Sequence, residues 1–244
     1  MCVLLLAYRV HPDYDLVFAA NRDEFYDRPT RIAQFWTDYP GVLAGRDLSA
    51  GGTWLGVNRF SHFAAVTNLR SSAGTTSQHS RGHLVRDFLR APITCARYID
   101  AITPIGRNYA GCNLLVEDSR SLHWWSNTDS RELDAGLYGM SNTALGDDWP
   151  KVGRLKSAFA PLTKVSGVTL ESALFDILRE DHPSDSRIFP RAQPRLEETI
   201  FVRSEGYGTR CSTIVLRHRE GSIIFVERSF DQTGSLIDEA RFAF

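Results

Sequence analysis

Short apolar runs separated by turn residues predict that β-strands dominate both ends of the chain. Runs rich in β-branched, aliphatic and aromatic residues are typical of strands, and clusters of Gly, Pro, Asn and Asp between them are typical of turns. The first two runs are joined by His11, Pro12 and Asp13, which predicts a hairpin at the amino terminus. The predicted strands are residues 3–9, 16–21, 54–58, 62–67, 113–117, 122–126, 137–141, 199–203, 212–217, 223–229 and 240–244.

Helical spacing of apolar residues appears in two places between these strands. Residues 80–102 have this spacing, and Pro92 divides them into two predicted helices. A third helix is predicted to begin after Asp148, a residue type that commonly caps helix amino termini. A fourth is predicted over residues 170–179.

The order of these elements predicts the fold class. Strands, two helices, strands, two helices and strands again are typical of two antiparallel sheets with helices packed outside, an α+β layered fold. The same order excludes a doubly wound α/β sheet. A length of 244 residues favours one domain, residues 1–244. Residues 181–196, which include three prolines, are predicted to form a long loop that could cover a site.

Charge and hydropathy exclude several classes of partner. The 28 basic and 29 acidic residues give a net charge of −1, so no broad positive field is available for a nucleic acid. The apolar run at residues 3–8 is too short to span a bilayer and lacks the features of a signal peptide. We therefore predict a cytoplasmic protein with no transmembrane segment.

Four cysteines, Cys2, Cys95, Cys112 and Cys211, are scattered along the chain. Their spacing matches neither a zinc site nor a thioredoxin-like motif, so they are predicted to be free thiols. The sequence thus predicts no metal site, and no pattern in it requires a cofactor.

Cys2 has a particular chemical possibility. If Met1 is removed, the α-amine and the thiol belong to one residue, and the amine can accept the thiol proton near neutral pH. Cys2 would then be a nucleophile that needs no histidine. The alternative interpretation is that Cys2 is a small apolar residue of a core strand.

Polar residues at strand ends supply further candidates. Asn21-Arg22-Asp23-Glu24 follows an apolar strand abruptly, and its Asp could orient an amine or form a structural ion-pair cluster. The glycine-rich segment 45–56 could be a hairpin entry or approach a ligand closely. Asn68 and Asn142 each follow a predicted strand, where they could be turn residues or could donate a hydrogen bond to an oxyanion. The candidate substrate-binding residues are Asn21, Arg22, Arg46 and Trp54.

Together these motifs resemble the NRDE family, named for its Asn-Arg-Asp-Glu motif and also called the transport and Golgi organisation protein 2 family. The resemblance covers residues 2 to about 217. It depends on Met1-Cys2, residues 21–24, Ala44-Gly45-Arg46-Asp47, residues 51–56, Thr67-Asn68, Ser141-Asn142 and Tyr207-Gly208-Thr209-Arg210.

This resemblance implies a four-layer αββα sandwich of the N-terminal-nucleophile hydrolase type. Hydrolases of that type with an amino-terminal Cys, such as choloylglycine hydrolases and penicillin V acylases, cleave linear amide bonds. By the same resemblance Cys2 is the nucleophile, Asp23 contacts its amine, Asn68 and Asn142 stabilise the oxyanion, and Arg210 supports the nucleophile.

One position departs from the hydrolase pattern. Those hydrolases have Arg three residues before the Asp, where this chain has Ala20. Neighbouring strand residues point to opposite faces, so Arg22 is expected to miss the pocket that the hydrolase Arg occupies. This departure argues against amidase activity.

The departure leaves a carrier as the alternative function. The NRDE family is linked to haem trafficking and to lipid or acyl-coenzyme A handling, so the same cleft could hold haem or an acyl ligand instead of a small-molecule amide. A third alternative is an interaction protein with an inactive cleft. The pair His79 and His83 has helical spacing, but Ser80 is predicted to cap the helix and leave His79 outside it. No sequence pattern requires haem.

Overall fold

A computed structural model describes residues 2–69, 78–147, 149–180 and 198–244. The chain divides into two compact units, one formed by Met1–Asp27 with Ala135–Phe244 and the other by Arg28–Asp134. Within the described ranges, each unit contains a seven-stranded antiparallel sheet and two α-helices. The interpretation of the chain as a single domain stays a prediction.

The elements of both units are numbered here in chain order. The strands are β1 (Cys2–Tyr8), β2 (Tyr14–Phe25), β3 (Thr30–Phe35), β4 (Val42–Asp47), β5 (Leu55–Asn58), β6 (Phe63–Asn68), β7 (Cys112–Glu117), β8 (Leu122–Ser126), β9 (Ser130–Leu133), β10 (Gly136–Met140), β11 (Arg203–Ser204), β12 (Tyr207–His218), β13 (Ile223–Phe230) and β14 (Leu236–Ala243). The helices are α1 (Gly82–Arg90), α2 (Cys95–Ile102), α3 (Pro150–Phe159) and α4 (Gly167–Leu178), with short 3-10 helices at Thr103–Asn108 and Ala160–Lys164.

The sheet of the first unit has the order β10-β1-β2-β12-β13-β14, with β11 beside β12. Alternate residues of its central strands, such as Val3 and Leu5, pack in one core with Leu155 of α3 and Leu174 of α4. Because side chains alternate along a strand, Cys2 and Leu4 lie on the face away from these helices. Both faces of the central strands are buried.

The sheet of the second unit has the order β3 to β9, each strand beside its sequence neighbour. Helices α1 and α2 pack on one face, where Phe88 and Ile99 share a core with Leu114. A Cβ at Gly52 would meet the backbone of Gly82 at 2.6 Å. Gly52, in the connection between β4 and β5, thus allows the close approach of Gly82 at the start of α1.

The predicted α+β fold with two antiparallel sheets is confirmed, and the four predicted helices are present. The predicted strand at residues 199–203 is wrong, because only Arg203–Ser204 forms a strand. Residues 200–202 are buried, but their backbone bonds go to Glu180 and Thr209. The sequence analysis missed β3, β4 and β9. The Asp148 cap and the 181–196 loop lie outside the described residues.

No helix in the described part of the chain is long and apolar enough to cross a membrane.

Candidate functional site

Cys2 opens β1 and is held by the segment that follows β10. Strand β10 runs antiparallel to β1, with Leu4 opposite Met140, so the next residues along reach the start of β1. The backbone nitrogen of Cys2 donates to Asn142 Oδ1 at 3.3 Å. The Ser141 hydroxyl donates to the Cys2 carbonyl at 2.6 Å. The pairing therefore brings the predicted residues Cys2 and Asn142 together.

Arg22 lies directly opposite Cys2 on β2, and Cys211 of β12 lies directly opposite Arg22. Directly opposed residues in an antiparallel pair project to the same face. Arg22 is 7% exposed, and its guanidinium is 3.7 Å from Glu24. The register corrects the expectation that Arg22 misses the pocket that the hydrolase Arg occupies, because Arg22 shares the face of Cys2 with Ala20, which stands at the place of that Arg.

Asp23 projects to the helix side of the same sheet. The Thr209 hydroxyl donates to Asp23 Oδ1 at 2.7 Å, and the carboxylate is 3% exposed. Burial raises the pKa of Asp23, while the charges of Lys151 and Arg22 and the Thr209 hydrogen bond oppose that rise. Cys2 and Asp23 thus lie near the amino-terminal end of β1, with their side chains on opposite faces of the sheet.

Asn21 also faces the helices. Its side-chain nitrogen donates to the carbonyls of Leu178 and Ile200 at 2.8 and 2.9 Å. Its oxygen accepts from the Ser212 hydroxyl at 2.6 Å. These bonds tie β2 to the end of α4 and to β12, so Asn21 supports the strand that carries Arg22 and Asp23.

Arg210 is the extra residue of a β-bulge in β12. Thr209 pairs with Asp23 and Cys211 pairs with Arg22, so Arg210 has no pairing position on β2. Its guanidinium donates to the carbonyls of Phe25 and Tyr26 at 2.8 and 3.0 Å. Burial and the like charge of Arg22 lower the pKa of Arg210. The bulge turns this cation toward the end of β2.

Cys211 is a second thiol on the face of Cys2. It is buried, whereas Cys2 is half-buried. Burial and the nearby Glu227 carboxylate raise the pKa of the Cys211 thiol well above its ordinary value. Glu227 is itself buried and accepts from the Thr213 hydroxyl at 3.0 Å. Cys2 and Cys211 therefore lie on the same face of the sheet but differ in their exposure to solvent.

With this geometry in place, comparison with known proteins identifies the family. Residues 1–232 match the model of the family described as Transport and Golgi organisation 2. The chain belongs to this family. It is 32% identical to the human Transport and Golgi organization protein 2 homolog, a match that covers 94% of this chain and 93% of the human one. It is 27% identical to the Drosophila melanogaster family protein, over 94% of this chain and 92% of that one.

Solved structures with the same fold are N-terminal-nucleophile hydrolases. The conjugated bile acid hydrolase of Clostridium perfringens superposes with a TM-score of 0.55 and 10% identity over 99% of this chain and 92% of that one. A Caenorhabditis elegans N-acylethanolamine-hydrolyzing acid amidase ortholog gives 0.53 and 12%, over 88% of this chain and 92% of that one. The family member therefore has the N-terminal-nucleophile hydrolase fold, as the motifs predicted.

Three predicted site residues of this family member belong to the second unit. Arg46 makes two hydrogen bonds to Asp38, at 2.6 and 2.7 Å, so its guanidinium has a partner within the unit. The Trp54 ring occupies the space above Gly45, where a Cβ would meet it at 2.4 Å. Asn68 ends β6 opposite Cys112.

Sequence reasoning missed Ser141, Lys151, Thr209 and Glu227 as residues around the site. Ser141 and Thr209 lie within the motifs already quoted, next to or close to the residues chosen. Lys151 is one of three lysines in the chain and is 0% exposed. Sequence gives no sign of that burial, because lysine is a residue type that is almost never fully buried.

No group of three or more His, Cys, Asp or Glu side chains in the described ranges is arranged to hold a metal ion. His79 precedes α1, and a ring nitrogen of His83 is 2.7 Å from the Ala50 carbonyl. The Ser80 hydroxyl accepts from the Gly82 N–H at the start of α1, so His79 lies outside the helix as the sequence predicted.

Proposed function

We propose that this member of the Transport and Golgi organisation 2 family hydrolyses linear amide bonds, with Cys2 as its amino-terminal nucleophile after removal of Met1. The observation that carries the proposal is the setting of Cys2. Its backbone nitrogen is bound by Asn142, and it shares a sheet face with the buried cation of Arg22. The names of two structural neighbours describe hydrolysis of conjugated bile acids and of N-acylethanolamines, which supports an acyl amide as substrate.

In the first step, the α-amine of Cys2 takes the thiol proton, directly or through one water. The sulfur then attacks the amide carbonyl carbon, and the carbonyl π electrons move to oxygen. Arg22, directly opposite Cys2, offers a positive charge to the sulfur while it is a thiolate. Asp23 holds the α-ammonium that has formed.

In the second step, amide groups stabilise the oxyanion. Asn142 accepts from the Cys2 nitrogen through Oδ1, so the donor that an oxyanion needs is its Nδ2. The role of Asn68 as an oxyanion donor stays a prediction from the sequence. The α-ammonium gives its proton to the leaving nitrogen as the carbon–nitrogen bond breaks, which releases the amine and leaves a thioester on Cys2.

Water completes the cycle. The α-amine removes a proton from a water molecule that attacks the thioester, the carbon–sulfur bond breaks, and the thiol is regenerated by the same proton. Arg210 supports the site by fixing the end of β2 through the Phe25 and Tyr26 carbonyls.

The test begins with the intact mass of the purified protein, which reports whether Met1 has been removed. The processed protein is then incubated with glycine- and taurine-conjugated bile acids and with N-acylethanolamines, and amine release is measured. For Cys2→Ala we expect turnover to fall by at least about 1,000-fold, because the nucleophile is lost. Wild-type protein quenched during turnover should carry the acyl mass on the peptide that contains Cys2.

Cys112→Ala is the matched control, because it removes a buried thiol from the second unit and should keep activity. Full turnover by Cys2→Ala would overturn the proposal. Saturable, stoichiometric haemin binding that is equal in wild type and Cys2→Ala, with no amide cleaved, would also overturn it and favour the carrier alternative.

A further inference from the structure

Lys151 is a buried cation at the start of α3. Its side chain is 0% exposed, and lysine is almost never fully buried unless it is paired with an opposite charge. Trp149 lies beside it, with the ring centroid 5.6 Å from Nζ. Such a site is costly for an ammonium group, so the position calls for a specific anionic partner.

The fold places this cation near the end of the sheet that carries Cys2. Helix α3 packs on β10, where a Cβ at Gly139 would meet the Val152 side chain at 2.5 Å. Two residues beyond Gly139 the chain reaches Ser141 and then Asn142, which contact Cys2. The first turn of α3 and the start of β1 are therefore close neighbours.

Asp23 is the anion that meets this requirement. It projects to the helix side of the sheet, is 3% exposed, and interacts with the charge of Lys151. The Thr209 hydroxyl from β12 also contacts Asp23, and the charge of Arg22, on the other face of the strand, and Tyr26, just after β2, interact with it electrostatically. Burial raises the pKa of Asp23, and Lys151 is the strongest of the charges that oppose that effect.

We propose that Lys151 is a positioning residue that holds Asp23 in its carboxylate form, so that Asp23 can bind the α-amine of Cys2. The inference deepens the proposed function and depends on it for the role of the amine. Without Lys151, burial would favour the neutral acid, which has no charge to hold an α-ammonium.

The test compares wild type with Lys151→Met, which removes the charge and keeps an unbranched side chain. The carboxyl carbon of Asp23 is followed by ¹³C NMR in protein labelled at aspartate, with the signal assigned through Asp23→Asn. We expect Asp23 to titrate at a pH higher by about one unit or more in Lys151→Met, since an opposite charge nearby lowers a carboxyl pKa by about that much.

The pH profile of amide cleavage gives a second readout. Its acid-side inflection should move upward with the Asp23 titration, and activity below that inflection should fall about tenfold for every pH unit that the inflection moves. A merely structural role would lower activity by the same factor at every pH. Lys156→Met, on the same helix, is the control and should leave both curves in place.

Lys151→Met by itself can fail to fold, because it leaves a buried charge without its partner. The double variant Lys151→Met with Asp23→Asn removes both charges, and we expect it to melt at a higher temperature than either single variant. A double variant that loses the sum of the two single effects would overturn the pairing.

The outcomes separate this inference from the proposed function. An unchanged Asp23 titration in Lys151→Met overturns the inference, even if amide cleavage proceeds. A shifted titration in a protein that cleaves no amide supports the hold of Lys151 on Asp23 and counts against the hydrolase proposal.

Discussion

At the scale of single residues, the site depends on the two-residue period of a strand. Arg22 and Asp23 are neighbours in sequence, yet one shares the face of Cys2 and the other faces Thr209 and Lys151. The start of β1 is the place where both faces can act on one residue. A thiol and its own α-amine are suited to such a place, because the two groups leave the same Cα in different directions.

The cysteines give a prediction at this scale. Cys2 is half-buried, whereas Cys95, Cys112 and Cys211 are buried. Burial raises the pKa of Cys112 to about 12, and it also raises the pKa of Cys95 and of Cys211. The thiolate is the reactive form, so we expect iodoacetamide at neutral pH to modify Cys2 at least about tenfold faster than the other three.

The measurement is peptide mass spectrometry over a time course in native buffer. Urea-unfolded protein is the control and should be modified at all four cysteines. Equal native rates at Cys2 and Cys211 would contradict the difference in accessibility on this face.

At the scale of elements, glycines decide how closely helices approach the sheets. Gly139 on β10 faces Val152 on α3, and Gly52 faces Gly82 at the start of α1. Helix α3 thus packs closely on β10 at a residue without a side chain, and the start of α1 packs closely on the connection between β4 and β5. The contact at Gly139 also fixes the first turn of α3, which carries Lys151.

Gly139→Ala tests this contact. The added Cβ would lie 2.5 Å from Val152 Cγ1, so either the helix or the side chain must shift. We expect a loss of about 1–3 kcal/mol in the free energy of unfolding, measured by urea denaturation, as for other overpacked sites. Gly153→Ala, within α3, is the matched control, because nothing lies within 4 Å of its added Cβ. It should gain about 0.5–1 kcal/mol through helix propensity.

Asp118 gives a pH-dependent prediction for α2. It accepts hydrogen bonds from the backbone N–H groups of Cys95, Arg120 and Ser121. Burial opposes ionisation of the carboxyl, but these hydrogen bonds outweigh it and lower the pKa of Asp118. Asp118→Ala should cost about 0.5–2 kcal/mol at neutral pH, the range for loss of a side-chain acceptor at a helix amino terminus.

The sign of the pH dependence follows from the lowered pKa. The stabilisation is complete above the unfolded-state value of about 3.9 and is lost as the pH falls through the lower folded-state value. The difference in unfolding free energy between wild type and Asp118→Ala should therefore shrink below about pH 4. A difference that stays constant from pH 7 to pH 3 would contradict this account.

At the scale of the whole molecule, the sequence predicted the helices and strands that have a strong local pattern of apolar residues. Strong apolar periodicity located the helices and the buried strands. It failed at β4, because Gly45-Arg46-Asp47 has the composition of a turn, and at β3 and β9, which are edge strands with exposed residues. Residues 200–202 have the composition of a strand, but their single backbone bonds to Glu180 and Thr209 do not form a ladder, which no local pattern reveals.

The candidate site residues were likewise predictable only where a local motif marked them. Cys2, Asp23, Asn142 and Arg210 came from motifs, and the structure gathers them at one end of the first unit's sheet. The face of Arg22 could not be predicted, because it depends on which residue of β2 lies opposite Cys2. The burial of Lys151 could not be predicted either, because it depends on how α3 packs on β10.

The alternation of Arg22 and Asp23 has a practical consequence for protein engineering. Arg22, Cys211 and Glu227 lie on the thiol face of the sheet, whereas Asp23 and its partner Thr209 lie on the helix face. A combinatorial library can therefore randomise Cys211 and Glu227 on the side of the sulfur while it keeps Thr209, the hydrogen-bond partner of the carboxylate, or the reverse. The sheet separates the two sets of positions, so variants selected on either side can afterwards be recombined within one gene.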